Sequence, residues 1–381
     1  MQITALETFQ VAPRWLFLKV STDEGIAGWG EPIVEGKADT VAACVEEMSH
    51  LLIGKNPLAI EAHWQVLFRG NFYRGGPVLS SALAGIDQAL WDIAGKVHGV
   101  PVHELLGGPV RDKVRMYRWV GGKSPAEIAD AGHKAASDGF DAVKCAPHGQ
   151  VTHLDKPAEI RRFVAMIEAL RDAVGDSVDI GIDFHGRFTL PQARRTLPLL
   201  EPLLPLFVEE PLPPEFSAQI GELTHATSIP IATGERLFNR WDFEPVLSAG
   251  ISVAQPDLSH AGGISEVRRI AAAAEMRNVA VAPHCPLGPI ALAASLAIDF
   301  AIPNFLIQEQ SLGIEYNTGN ELLDYLVDPT VFAFTDGYVA RPTGPGLGIE
   351  VDEQAVRRAA ENPHHWKSPL TFHSDGSFAE W

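Results

Sequence analysis

Residues 178–183 read VDIGID, residues 205–209 PLFVE and residues 229–235 IPIATGE. Each is a short apolar run, too short for a helix and rich in β-branched or aromatic residues, which reads as a buried strand. Each also ends in a carboxylate: Asp183, Glu209 and Glu235, 26 residues apart in both intervals. That spacing is about one strand, one helix and two loops. Working outward, five more runs of the same kind complete a set: VRMYRWV (114–120), FDAVKC (140–145), ISVAQPD (251–257), VAVAPH (279–284) and FLIQEQ (305–310). Strands that alternate with helical segments pair in parallel through right-handed crossovers, and eight of them suggest a closed α/β barrel.

The residues at the carboxyl ends of these runs are Trp119, Lys144, Asp183, Glu209, Glu235, Asp257, His284 and Glu309. A single strand-end carboxylate is usually a turn or a helix cap. A series is different, because strand ends of a barrel converge on one mouth, where like charges repel unless they bind something. The one irregular interval, 39 residues between Lys144 and Asp183, holds an insertion at 146–157, APHGQVTHLDKP.

Ahead of the barrel, residues 1–112 read as a separate capping domain. ITALETFQV, RWLFLKVSTD and IAGWGE have the alternation of an antiparallel sheet. Helical periodicity follows over 37–53, 58–69 and 78–98, the last stopping at Gly99 and Pro101. The barrel domain is expected over 113–318 and a C-terminal segment over 319–381.

With 30 basic and 48 acidic residues, the formal charge is -18, which argues against a nucleic-acid backbone or an anionic membrane as partner. An anionic small molecule would need a local cation, a metal or a basic cluster, to be held. Three scattered cysteines, Cys44, Cys145 and Cys285, fit neither a disulfide framework nor a four-thiolate zinc site, so a reducing cytoplasm is expected. The opening MQITALETFQ alternates like a strand and lacks a signal-peptide profile, and the apolar stretch 279–306 is interrupted by Pro283, His284, Pro286, Pro289 and Asp299.

Asp183, Glu209 and Glu235 would offer hard oxygen ligands on one arc of the mouth, which suits Mg2+ better than zinc. Alternation along the strand lets only one of Glu209 and Glu210 face inward, and spacing favours Glu209, with Glu210 supporting a neighbour. On the other arc, Asp257 and His284 end adjacent strands, the arrangement in which a carboxylate orients an imidazole and raises its basicity. His185, two residues past Asp183, points to the same side if the strand continues, and would donate a proton to a leaving hydroxyl. Glu309, protonated by its acidic setting, would hydrogen-bond a developing enediolate oxygen. His260, His364 and His365 have no comparable placement and read as structural or solvated. Together these groups suit removal of a proton beside a carboxylate and loss of a β-hydroxyl, giving a 2-keto-3-deoxy acid.

At these residues the chain resembles the enolase superfamily, in its mandelate racemase-like branch, and within it the dehydratases of acid sugars. The likeness runs through RWLFLKVSTDEGIAGWGEP, FYRGGPVLSSALAGIDQALWDIAGK, GIDFHGR, FVEEP, GERLF, QPDLSHAGGI, APHCPLGPIALAASL, QEQSLGIEYN and the closing FAEW. It implies a modified TIM-type (β/α)7β barrel under an N-terminal α+β cap, with the C-terminal segment returning to that cap. It also implies Asp183, Glu209 and Glu235 as Mg2+ ligands, His284 with Asp257 as base, His185 as acid, Glu309 as electrophilic stabiliser, and a symmetric homo-oligomer. Substrate choice in the family is set near the first hairpin, which points to Arg14, Trp15 and Tyr73. Lys144 would bind the substrate carboxylate. Where relatives commonly carry a second basic or polar residue this chain reads Lys144-Cys145-Ala146, which argues against a racemase with a lysine base. A racemase or epimerase using both histidines, a silent sugar-acid binder and a metal-dependent hydrolase are the competing readings, and the last would call for histidine-rich ligation.

Overall fold

The computed structural model describes residues 1–147, 149–311, 317 and 323–380. The expected boundary at 318–319 and His148 of the insertion lie outside them. Strands β1 (Ile3–Val11), β2 (Trp15–Thr22) and β3 (Ala27–Gly30) form an antiparallel sheet in that order. Helices α1 (Ala38–Ser49), α2 (Ile60–Arg69) and α3 (Pro77–His98) follow it. As the sequence predicts, α3 stops at Gly99, whose left-handed φ of 68° suits a residue without Cβ.

The barrel is a seven-stranded parallel sheet of Arg118–Trp119, Ala142–Cys145, Asp179–Asp183, Phe207–Glu209, Ile231–Thr233, Val253–Ala254 and Ala280–Val281. The eighth run makes isolated parallel bridges on both sides, Val281 with Phe305 and Met116 with Gln308. Backbone bonds at those bridges, Leu306 N to Val281 O (2.8 Å) and Gln308 N to Arg115 O (2.9 Å), close the ring.

One inward layer holds Tyr117, Ala142, Phe207, Ala232, Val253, Ala282 and Ile307, a cluster of its own inside the barrel. The third strand contributes Gly181 at this level, because a Cβ there would press on the Phe207 ring. Side chains alternate along a strand, so the residue two positions further on faces inward again, one layer nearer the mouth. That rule lifts Trp119, Lys144, Asp183, Glu209, Gln255, His284 and Glu309 into the next layer.

Helix α3 joins the cap to the barrel. It lies so close to β3 that a Cβ on Gly30 would collide with the carbonyl of Gly85. Its buried polar residues then reach in three directions. Asp87 accepts from Ser265 N (2.9 Å) and Oγ (2.5 Å), and Gln88 donates to Leu258 O (2.9 Å), in the loop and helix after the sixth barrel strand. Asp92 accepts from Trp29 N and Leu347 N, both at 2.9 Å, tying the cap sheet to the C-terminal segment. Further along that segment, Glu353 pairs with Lys19 (2.7 Å) and Arg357 with Glu7 (3.1 Å).

Glu31, just past β3, is a second latch. Its carboxylate accepts from Gly288 N (2.7 Å) and Ala291 N (2.9 Å) at the start of the barrel helix Pro289–Asp299. All three cysteines are free and buried. Among the described residues no helix is long and apolar enough to cross a membrane.

Glu31→Gln sets an amide NH2 against one of two buried N–H donors and should cost about 1–3 kcal/mol. A lower denaturation midpoint at unchanged slope is the expected result of a urea titration; an unchanged midpoint would refute the latch.

Candidate active site at the barrel mouth

Lys144 sits lowest. Its side chain has no exposure, and its ammonium contacts Glu209 (2.7 Å), Glu309 (2.9 Å) and Asp183 (3.6 Å). This corrects the expectation that it binds a substrate carboxylate. It lies beneath the cavity, committed to three protein carboxylates, and serves to neutralise them.

Asp183, Glu209 and Glu235 each turn one oxygen to a common point, the three within 4.8 Å of one another. Parallel register sets Asp183 beside Glu209. Asp183 accepts from His185 N (2.7 Å), and Glu209 accepts from Gln255 Nε2 (2.7 Å). Burial opposes ionisation of Asp183, yet His185 and Lys144 hold its carboxyl well below the usual range. Burial and Asp183 push Glu209 well above that range despite Lys144, and burial raises Glu235 against the pull of His284. Clustered hard oxygens with conflicting ionisation match the donor set of a divalent cation, which would relieve the conflict. Glu210, with a left-handed φ of 43°, turns away and accepts from Thr233 Oγ1 (2.6 Å), Gly234 N (3.0 Å) and Arg236 (2.5 Å). It therefore braces the loop that presents Glu235.

Asp257 and His284 are bridge partners, and His284 Nδ1 is 2.8 Å from Asp257 Oδ2. Asp257 Oδ1 accepts from Ser259 N (2.6 Å) and His260 N (3.1 Å), which fixes the carboxylate. His284 Nε2 lies 3.5 Å from Glu235 and 3.8 Å from Glu309. Burial lowers the basicity of His284, but Glu235, Glu309 and Asp257 overcome it and raise the imidazole well above its usual range.

Glu309 departs from expectation. Burial favours its neutral form, but Lys144 and His284 bring its carboxyl down to about 2. As a carboxylate it accepts from Trp119 Nε1 (2.8 Å) and Cys285 N (2.9 Å) rather than donating. His185 adopts a left-handed φ of 52°, stacks on Trp119 with ring centroids 5.8 Å apart, and brings Nε2 within 3.0 Å of Asp183.

These groups open into a cavity of about 450 Å3 lined by Asp183, His185, Glu235, His284 and Glu309 from the barrel and by Arg14 and Glu35 from the cap. Arg14 is buried there and bonds Glu35 and the Pro286 carbonyl, each at 2.5 Å. Trp15 is absent from the cavity: it is fully buried against Phe17 and Tyr325, because the strand alternation after Arg14 turns it into the cap core. Tyr73 is 82% exposed and lines a different groove. The described residues of the insertion do not line this cavity, and Asp155 N donates to Gln192 Oε1 (3.0 Å).

Several lining residues had no functional reading in the sequence. His260, expected to be structural, lines the cavity, as do Glu35, Trp366 and Ser368. Gln255 beneath them had a readable signal, since it lies two residues past inward Val253. Trp366 and Ser368 had none, because the irregular segment that carries them has no period to read.

The description "Enolase C-terminal domain-like" matches residues 127–355, and "Mandelate racemase / muconate lactonizing enzyme, N-terminal domain" matches residues 2–107. A D-galactonate dehydratase from Variovorax paradoxus (strain S110) is 52% identical over the whole of both chains. One from Xanthomonas axonopodis pv. citri (strain 306) is 53% identical, again over both full lengths. Among solved structures, a candidate galactarate dehydratase from Agrobacterium radiobacter, with bound sodium and L-malate, superposes with a TM-score of 0.91 at 32% identity over 100% of each chain. Two matching domain families and full-length relatives at this identity make the chain a member of the enolase superfamily, in its mandelate racemase/muconate lactonizing enzyme branch.

Proposed function

We propose that this protein is a hydro-lyase that dehydrates an acid sugar, D-galactonate, to 2-dehydro-3-deoxy-D-galactonate. The observation that carries the reading is one cavity lined by a carboxylate-oriented imidazole, His284 on Asp257 at 2.8 Å, by a second imidazole, His185, and by Asp183 and Glu235 of a three-carboxylate cluster. Relatives at 52–53% full-length identity that bear the D-galactonate dehydratase name support the substrate.

Asp183, Glu209 and Glu235 would hold Mg2+, which supplies positive charge at the substrate's carboxylate end. Its presence answers the problem posed by a formal charge of -18 and an anionic substrate. Asp257 holds the Nδ1 proton of His284, so the neutral ring turns its Nε2 lone pair to the cavity to take the proton from carbon 2; Glu235, the anion that most raises this imidazole, would have its charge taken up as a metal ligand. The imidazolium that results lies against Asp257, Glu235 and Glu309, which stabilise it. His185 comes from a different strand end and is 29% exposed in the cavity, able to give its proton to the departing hydroxyl of carbon 3. Its ring is held flat on Trp119, which limits the directions it can serve. Loss of that hydroxyl as water leaves an enol, which becomes the 2-keto acid when carbon 3 takes up a proton and the enol oxygen gives one up. Arg14 and Glu35 line the cap side of the same cavity.

Turnover of D-galactonate should stop on chelation of divalent cations and return with added Mg2+. The reaction run in deuterated water distinguishes outcomes: keto-acid formation supports the dehydratase, whereas deuterium at carbon 2 without keto acid would make the protein a racemase or epimerase.

His284→Ala should lower kcat about 10²–10⁴-fold, the range for removal of a general base. Asp257→Asn should lower it by a smaller factor, since the imidazole remains but loses its orienting charge. Unchanged kcat in His284→Ala would remove that residue from the reaction.

A further inference from the structure

The cavity has a second end that the reaction does not use. There Glu35 of the cap approaches His260, which follows the sixth barrel strand. Arg14 holds Glu35 through Oε1 at 2.5 Å, while Glu35 Oε2 lies 3.7 Å from His260 Nε2, beyond hydrogen-bond reach.

The His260 ring is held by its surroundings. Its backbone N–H donates to Asp257 (3.1 Å), and its Nδ1 is 3.3 Å from the carbonyl oxygen of Glu235. A carbonyl only accepts, so the ring proton belongs on Nδ1 and the lone pair of the neutral ring on Nε2. That Nε2 is buried and has no hydrogen-bond partner among the described residues. Buried polar atoms are rarely left so, and in a residue that lines a cavity next to a carboxylate such an atom calls for a ligand that donates. The ring centroids of His260 and His284 are 6.1 Å apart, a span that a few carbon–carbon bonds cover.

We propose that His260 Nε2 and Glu35 Oε2 read the far end of the substrate, each accepting a hydrogen bond from a hydroxyl on carbon 4 or carbon 5. The inference rests on the acid-sugar reading above and adds the residues that choose among acid sugars. Two acceptors side by side, with the nearby arginine already bonded to protein, favour a neutral hydroxylated chain over a second anionic group. A site built to accept from a hydroxyl also rejects an analogue that lacks it, because the buried acceptor is then left unpaired. A hydroxyl of inverted configuration would point away from one of the two acceptors. His260 is thus a specificity residue for the reaction and takes no part in moving its protons.

The test compares D-galactonate with its 4-deoxy and 5-deoxy analogues in the full-length, Mg2+-loaded protein. With the wild type, at least one deoxy acid should lose about 10–100-fold in kcat/KM. His260→Phe keeps the ring and removes both nitrogens. It should raise KM for D-galactonate about 10-fold with kcat nearly unchanged, the signature of lost uniform binding. It should also narrow the discrimination between the three acids to about threefold. Equal treatment of the three acids by the wild type would overturn the proposal, and that measurement needs no variant to fold. A fall in kcat alike on all three in His260→Phe would overturn it too, placing His260 with the Asp257–His284 pair. Failure of the parent reading looks different: the wild type would form keto acid from none of them.

Discussion

Carboxylates crowd one end of the barrel: Asp183, Glu209, Asp257 and Glu309 are buried there and Glu235 nearly so. Isolated anions cannot be kept out of water, so each must meet a cation or a set of donors. Lys144 answers from below, within 3.6 Å of three of them, and His284 answers from the side. Backbone N–H groups fix Asp257, and Gln255 fixes Glu209. The three oxygens that converge from Asp183, Glu209 and Glu235 form a cluster that could hold a metal ion, whose charge would add to that of Lys144 and His284.

This arrangement asks for rigidity, and the barrel supplies it by pairing. Parallel register sets Asp183 beside Glu209, and a bridge sets Asp257 beside His284. Gly181 is part of the same device, leaving room for Phe207 in the layer below. The cap adds the other wall. Through Gln88 and Asp87, α3 holds the loop and helix that follow Asp257, so the positions of the cap and of the proton-transfer groups are linked by buried hydrogen bonds. Cap and barrel also share Glu31, whose carboxyl is pushed up to about 8 by burial although two backbone donors pull it down. The two donors offset part of the cost of burying this group.

Much of this was legible along the chain. The run of strand ends from Trp119 to Glu309 could be read because a barrel repeats one unit, and the repeat turns spacing into position. Glu209 over Glu210 followed from alternation and spacing. Where the reading went wrong, the cause was an environment rather than a period. Trp15 and Arg14 are neighbours in a hairpin, yet one enters the cap core and the other the cavity. Lys144 and Glu309 are at the right level, but the charge each meets there sets what it does. Lys144 is already committed to carboxylates, and Glu309 is held ionised by Lys144 and His284.

By itself the sequence determined the eight-strand repeat, the separate cap and the set of ionisable strand ends, because each rests on local periodicity that one stretch of chain carries. Only the tertiary structure decided the protonation of those groups and the far wall of the cavity. Both depend on contacts between residues distant in the chain: Glu35 with His260, Arg14 with the Pro286 carbonyl, Trp366 over Arg14. Coulomb energy and burial depend on distance in space, and no pattern along the chain records it.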